Sequence, residues 1–80
     1  MPVIDNTTIR LYPNPATDGF YVNGIEGTFL LTLFDINGRM LITEKVTDNK
    51  LISIGTLTKG IYVVKIITNE GTIERKLVKK

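Results

Sequence analysis

Turn-forming residues interrupt this 80-residue chain at short intervals, and no segment keeps the apolar spacing of a helix for long. Clusters of proline, asparagine, aspartate and glycine recur about every 8 to 12 residues, the interval typical of small β-sandwiches. Between the clusters lie short runs that are rich in β-branched and aromatic residues, and several of them alternate apolar and polar side chains. The pattern predicts a single all-β domain, folded as an antiparallel β-sandwich.

Seven runs have the composition of strands. They are residues 8–12, 19–23, 28–34, 40–46, 51–54, 61–68 and 72–78. The run 28–34 is apolar on both faces, so we expect a central strand there. In the sixth run Tyr62, Val64 and Ile66 should share one face, and Lys65 marks the more solvated face.

The connections between these runs carry turn signals. Asn37-Gly38 favours a type I′ hairpin turn, because both residue types accept positive φ. Residues 48–50 and 69–71 predict two more turns. Residues 55–60 form a loop in which Leu57 is the one apolar anchor.

The composition excludes several kinds of partner. There is no cysteine, so neither disulfides nor thiolate metal sites reinforce the fold. The net charge of +2 is small and basic residues are mixed with acidic ones, which argues against nucleic acid as a partner. No apolar run approaches the roughly 20 residues of a membrane-spanning helix. We therefore expect no nucleic-acid partner and no membrane span.

Residues 1–7 have no clear periodicity, and we predict a linker or lead-in there, with the domain proper at residues 8–80. The first residues also lack the charged and long apolar regions of an export signal. If the protein is exported, its entry signal lies elsewhere, and we expect the chain to be a piece of something longer.

Most of the side chains that enzymes use are missing. There is no histidine or cysteine, and the one serine, Ser53, lies in an apolar strand, so no Ser-His or Cys-His pair can form. The carboxylates fall mostly in turns or at outer strand positions. Asp35 to Gly38 begins like a calcium loop, but the glycine comes too early and no glutamate completes it. We expect no catalytic residues, no cofactor and no metal.

Four short motifs occur in order along the chain. They are Leu11-Tyr12-Pro13-Asn14-Pro15, Phe34-Asp35-Ile36-Asn37-Gly38-Arg39, Leu57-Thr58-Lys59-Gly60-Ile61-Tyr62 and Lys76-Leu77-Val78-Lys79-Lys80. In this order and spacing, the sequence from Thr8 to Lys80 resembles the C-terminal sorting domains of type IX secretion cargo in Gram-negative bacteria. Such domains open with a Tyr-Pro-Asn-Pro element and end in lysines.

The resemblance implies a seven-stranded immunoglobulin-like sandwich at the end of an exported protein. A separate signal brings such a protein to the periplasm, and an outer-membrane translocon recognises the domain. A sortase-like cysteine protease usually removes the domain and can attach the cargo to the cell surface. The resemblance therefore implies a non-enzymatic signal. Its candidate recognition or motif residues are Tyr12, Pro13, Asn14, Pro15, Asp35, Gly38, Arg39, Lys59, Gly60, Tyr62, Lys76, Lys79 and Lys80.

A structural interpretation competes at each of these residues. Proline, glycine and asparagine form turns in any β protein, and lysines protect an edge strand from pairing with other copies. A second functional hypothesis is an extracellular adhesion or carbohydrate-binding module, which requires an exposed aromatic row. A third is a structural spacer that binds nothing. The sequence predicts no particular oligomeric state.

For the six aromatic residues of the domain we expect packing in the core or between neighbouring strands. They are Tyr12, Phe20, Tyr21, Phe29, Phe34 and Tyr62.

Overall fold

The computed structural model describes residues 9–80, and its regular elements are all β-strands. The strands are β1 (Arg10–Tyr12), β2 (Gly19–Asn23), β3 (Thr28–Asp35), β4 (Met40–Thr47), β5 (Leu51–Ser53), β6 (Gly60–Thr68) and β7 (Gly71–Lys79). The all-β prediction is confirmed, and each predicted run overlaps an observed strand, with ends that differ by at most two residues. No helix in residues 9–80 is long and apolar enough to span a membrane. The predicted lead-in, residues 1–7, lies outside the described residues.

The strands form two antiparallel sheets, with the order β1-β2-β5 in one and β4-β3-β6-β7 in the other. This division is that of an immunoglobulin-like sandwich, in which the first, second and fifth strands face a sheet built around the third and sixth. β3 lies between β4 and β6, so the predicted central strand is confirmed. β7 is an edge strand, so one of its two sides has no neighbouring strand in the sheet.

The core consists of side chains from the facing surfaces of both sheets. In β6, Tyr62, Val64 and Ile66 are buried, whereas Ile61 is exposed and Lys65 is half-buried on the opposite face. The predicted alternation is therefore confirmed. Burying one large apolar side chain contributes about 1.5–3 kcal/mol, so this layer is the main stabilising interaction. The largest fully buried side chains are Phe20, Val22, Leu31, Leu33, Ile54, Val64, Ile66 and Leu77.

The turn between β4 and β5 carries the chain from one sheet to the other. Its Asp48 carboxylate accepts hydrogen bonds from the N–H groups of Gly24 and Ile25, at 2.8 and 3.0 Å. The Asn49 N–H donates to the Val22 carbonyl at 2.8 Å, and Asn49 has a φ of 64°. The predicted turn at residues 48–50 thus also attaches the chain segment that crosses between the sheets to β2 and to the loop after β2.

The β3–β4 hairpin forms where predicted, but its turn is not type I′. That turn needs positive φ at both central residues, and of Asn37 and Gly38 only Gly38 has it, at 84°. The Gly38 N–H donates to the Asp35 carbonyl, and the Asp35 N–H to the Arg39 carbonyl, both at 3.0 Å. The predicted turn type is therefore wrong, because a three-residue loop ending in a left-handed glycine connects these strands.

Two isoleucines on opposite faces of β6 test this packing. We expect Ile66→Ala to lower the free energy of unfolding by about 2–5 kcal/mol, because it opens a cavity in the core. Ile61→Ala, a substitution of the same kind on the outer face, should change it by about 0.5 kcal/mol or less. Chemical denaturation followed by circular dichroism measures both. Equal losses for the two variants would contradict the assigned faces.

Candidate recognition site

Strand register brings three of the four sequence motifs together at one end of the four-stranded sheet. Asp35 of β3 pairs with Tyr62 of β6, and Tyr62 pairs in turn with Leu77 of β7. Two residues further along, Gly60 lies opposite Lys79. We call this end of the sheet, where β3 and β7 end and β6 begins, the motif end. Antiparallel pairing therefore makes neighbours of motifs that are far apart in the chain.

The first motif reaches the motif end by pairing with the free side of β7. The Ala16 N–H donates to the Val78 carbonyl and the Lys80 N–H donates to the Ala16 carbonyl, both at 2.8 Å and in parallel orientation. The Asn14 Nδ2 donates to the Lys76 carbonyl at 2.9 Å, and the Asn14 Oδ1 accepts from the Val78 N–H at 3.0 Å. We call these four hydrogen bonds the latch.

The flanking prolines explain why a side chain forms half of the latch. Pro13 and Pro15 have no N–H group, so neither can donate to the edge of β7. The Asn14 carboxamide offers one donor and one acceptor, as a backbone peptide group does. Ala16 then continues the pairing through its own backbone, and it is completely buried. Sequence analysis did not single out Ala16, because an alanine carries no chemical signal of such a contact.

Tyr12, the first of the candidate residues, belongs to the three-stranded sheet, and its contacts are made there and not with β7. Its ring stacks on Tyr21 of β2, with centroids 5.4 Å apart and planes 24° from parallel. Its hydroxyl donates to the Asn49 Oδ1 at 2.8 Å, so Tyr12 ties β1 to the turn before β5. The two rings pack against each other as a cross-strand pair, so each covers one face of the other. A sugar-binding platform, by contrast, requires exposed ring faces.

The other aromatic residues follow the sequence expectation. Phe20, Phe29 and Tyr62 are buried in the core, and Phe34 is half-buried on the outer face of the four-stranded sheet. Tyr12, by contrast, is 42% exposed. Core packing therefore accounts for three of the six aromatics, and surface cross-strand packing for the tyrosine pair.

In the central hairpin, the Asp35 carboxylate organises the loop. One of its oxygens accepts hydrogen bonds from the N–H groups of Asn37 and Arg39, each at 2.9 Å. The other accepts from the Arg39 Nε at 3.1 Å, which also forms an ion pair. These bonds, the one from the Arg39 N–H above all, lower the pKa of the Asp35 carboxyl. Asp35 and Arg39 thus satisfy each other within the loop.

The late motif fixes the loop that enters β6. The Tyr62 hydroxyl donates to the Thr58 carbonyl at 2.6 Å. Gly60 has a φ of 151°, a conformation that side-chain-bearing residues rarely adopt, although no atom within 4 Å would meet an added Cβ. The backbone conformation at position 60 therefore requires a glycine, although there is room for a side chain. Lys59, between these two fixed points, is exposed.

The last lysines lie on both faces of β7. Lys76 and Lys80 are exposed and share the outer face with Val78, whereas Lys79 falls on the inner side and is half-buried. The Lys79 Nζ donates to the Lys80 carbonyl at 2.9 Å. Within residues 9–80, no carboxylate forms an ion pair with any of these three lysines.

Residues 9–80 contain no group of three or more acidic residues placed to hold a metal ion. What the motif end presents instead is a latched edge strand, a fixed hairpin and exposed lysines.

Comparison with known proteins identifies a family that covers nearly all of the described residues. Residues 10–80 match the family model described as the secretion system C-terminal sorting domain, a span that includes all seven strands and all four motifs. A search among curated proteins gave no match.

The latch can be tested through Asn14. Asn14→Ala removes two hydrogen bonds of about 0.5–1.5 kcal/mol each, so the Val78 amide should exchange with deuterium about 5 to 150 times faster. Asn69→Ala, in the turn before β7, is the control, because its exposed side chain forms no such bond. Native-state hydrogen exchange by NMR measures both variants. Unchanged protection of Val78 in Asn14→Ala would contradict the latch.

The Asp35 loop makes a second prediction, which concerns pH. A carboxyl whose pKa is lower in the folded state contributes stability above its ordinary pKa of 3.8, and this is lost as the pH falls through the folded value. A ¹³C NMR titration should show the pKa of Asp35 below 3.8. In Arg39→Ala most of the lowering should remain, because the largest cause is a backbone N–H. Full return to the ordinary value in that variant would show that the guanidinium is the main cause.

Proposed function

Since this chain belongs to the type IX secretion system C-terminal sorting domain family, we propose that it directs a fused cargo protein through the outer membrane and is then removed by a sortase-like protease that attaches the cargo to the cell surface. The family itself is one of sorting signals, and it implies export through the secretion system to the cell surface or the extracellular space. The cleavage and attachment steps are the finer part of the proposal. The single observation that carries it is the family match over residues 10–80.

The geometry of the motif end supports a signal that is recognised in folded form. Four motifs that sequence analysis assigned to the signal lie at one end of one sheet or latch onto it. Residues of the second, third and fourth motifs are thereby presented side by side to a binding partner. The hydrogen bonds of the latch fix the backbone of residues 76–80, which reduces the conformational entropy that a partner must remove on binding.

We assign two classes of partner to this surface, the outer-membrane translocon and the sortase-like protease. Both treat the domain as a ligand or a substrate, in line with a family of signals and not of catalysts. Lys76, Lys79 and Lys80 are our choice for receptor contact. The domain boundary belongs to the same proposal, with residues 1–7 as the linker to the cargo and residues 8–80 as the signal.

Charge-neutral variants test the proposal better than a truncation. Deleting residues 75–80 would remove Leu77, which is completely buried, so loss of export could simply reflect unfolding. The triple variant Lys76→Gln, Lys79→Gln, Lys80→Gln keeps the core. Fused to a periplasmic reporter in a host with this secretion system, the unmodified domain should carry the reporter to the surface. The triple variant should export about tenfold less, the effect of about 1.4 kcal/mol in binding.

The matched control replaces Arg10, Lys45 and Lys50 by glutamine, which removes the same amount of charge at positions away from the motif end. Its export should equal that of the unmodified domain, and thermal unfolding of all three proteins checks that they fold. Periplasmic retention of the unmodified fusion would refute the sorting function. Binding of the isolated domain to glycans would instead favour the adhesion or carbohydrate-binding hypothesis.

A further inference from the structure

The outer face of the four-stranded sheet is apolar at the motif end. Phe34 pairs with Met40 on one side and with Val63 on the other, and Ile61 pairs with Val78. All five belong to the face that points away from the core. Met40 is 56% exposed and Ile61 is 48% exposed, whereas the other three are half-buried. We call these five residues the apolar patch.

The next row of the same face has a different character. It contains Thr43, Thr32, Lys65 and Glu74, aligned across the four strands. Such polar residues are what the solvated face of an antiparallel sheet normally carries. The polar row separates the apolar patch from Leu30 and so limits the patch to the motif end. A compact exposed apolar area with a polar boundary is the usual form of a protein-binding surface.

The charges beside the apolar patch are positive and unbalanced. Lys76 lies opposite Val63 in the same row, and Lys80 follows Val78 on the same face. Within residues 9–80, neither lysine forms an ion pair with a carboxylate. The nearby Arg39 differs, because Asp35 balances its charge at 3.1 Å. A partner that covers the apolar patch therefore binds most tightly if it places carboxylates against Lys76 and Lys80.

We propose that the apolar patch, together with Lys76 and Lys80, is the surface on which a protein component of the secretion system docks, through an apolar ridge bordered by acidic side chains. This inference rests on the proposed sorting function and names the surface that performs it. A lipid membrane is the less favourable partner. Two lysines supply only about 1 kcal/mol each toward an anionic bilayer, and three of the five apolar side chains are half-buried and cannot insert deeply.

The structure supplies a matched pair of positions for the test. Ile61 is 48% exposed in the apolar patch, and Leu51 is 53% exposed on the outer face of the other sheet. In the reporter fusion, Ile61→Asp should lower export about tenfold or more, because it places a buried charge in the interface and repels acidic groups of the partner. Leu51→Asp should leave export unchanged. Ile61→Lys should reduce export less than Ile61→Asp does.

Each outcome decides a different claim. If the unmodified fusion is not exported, the sorting function fails. If the unmodified fusion is exported and a folded Ile61→Asp variant is exported equally well, the docking surface fails and the sorting function stands. Thermal unfolding of each variant establishes that it is folded. Binding of the unmodified domain to phosphatidylglycerol vesicles, lost in Ile61→Asp, would replace the protein partner by a membrane and overturn the proposal.

Discussion

The pairing of residues 14–16 with the edge of β7 is the contact on which the arrangement of the motif end depends. It joins segments that are separated by 62 to 64 residues, and it does so next to two prolines that cannot donate hydrogen bonds. The Asn14 carboxamide takes the place of the missing backbone donor. The beginning and the end of the described chain are therefore held together by four hydrogen bonds as well as by the core.

This contact also protects part of β7 from the unwanted strand pairing to which the edges of an open sheet are exposed. β7 is paired along its length with β6 on one side only, and an uncovered edge can pair with other chains. The latch covers the edge from Lys76 to Lys80. Toward the start of the strand, Glu74 and Arg75 place charges beside the uncovered part, and Arg75 occupies an inner-face position between Ile73 and Leu77. Charged residues on an edge, inward-pointing ones in particular, oppose pairing with another copy.

Sequence reasoning predicted the strands and hairpins because the signals for them are local. Alternation in residues 61–68 indicated which side chains enter the core, and the turn residues marked where each strand ends. The latch could not be predicted in this way, since neither Asn14 nor Ala16 carries a sign of its partner some 60 residues later.

The prediction of the turn type at Gly38 failed for a related reason. The Asp35 carboxylate binds the Asn37 and Arg39 N–H groups, and this side-chain contact favours the three-residue loop. The candidate residues came from family resemblance, and only the register showed which of them lie close together.

A surface built from several strands has a consequence for how such a signal is recognised. The apolar patch combines side chains from β3, β4, β6 and β7, and the register that aligns them exists only after both hairpins have formed. A linear peptide containing Lys76 to Lys80 would carry the charges but not Phe34, Met40 or Ile61. It would also lack the latch that fixes its backbone. A receptor that depends on the whole surface thus distinguishes a folded domain from an unfolded chain, because unfolding separates the apolar and the positive parts of what it binds.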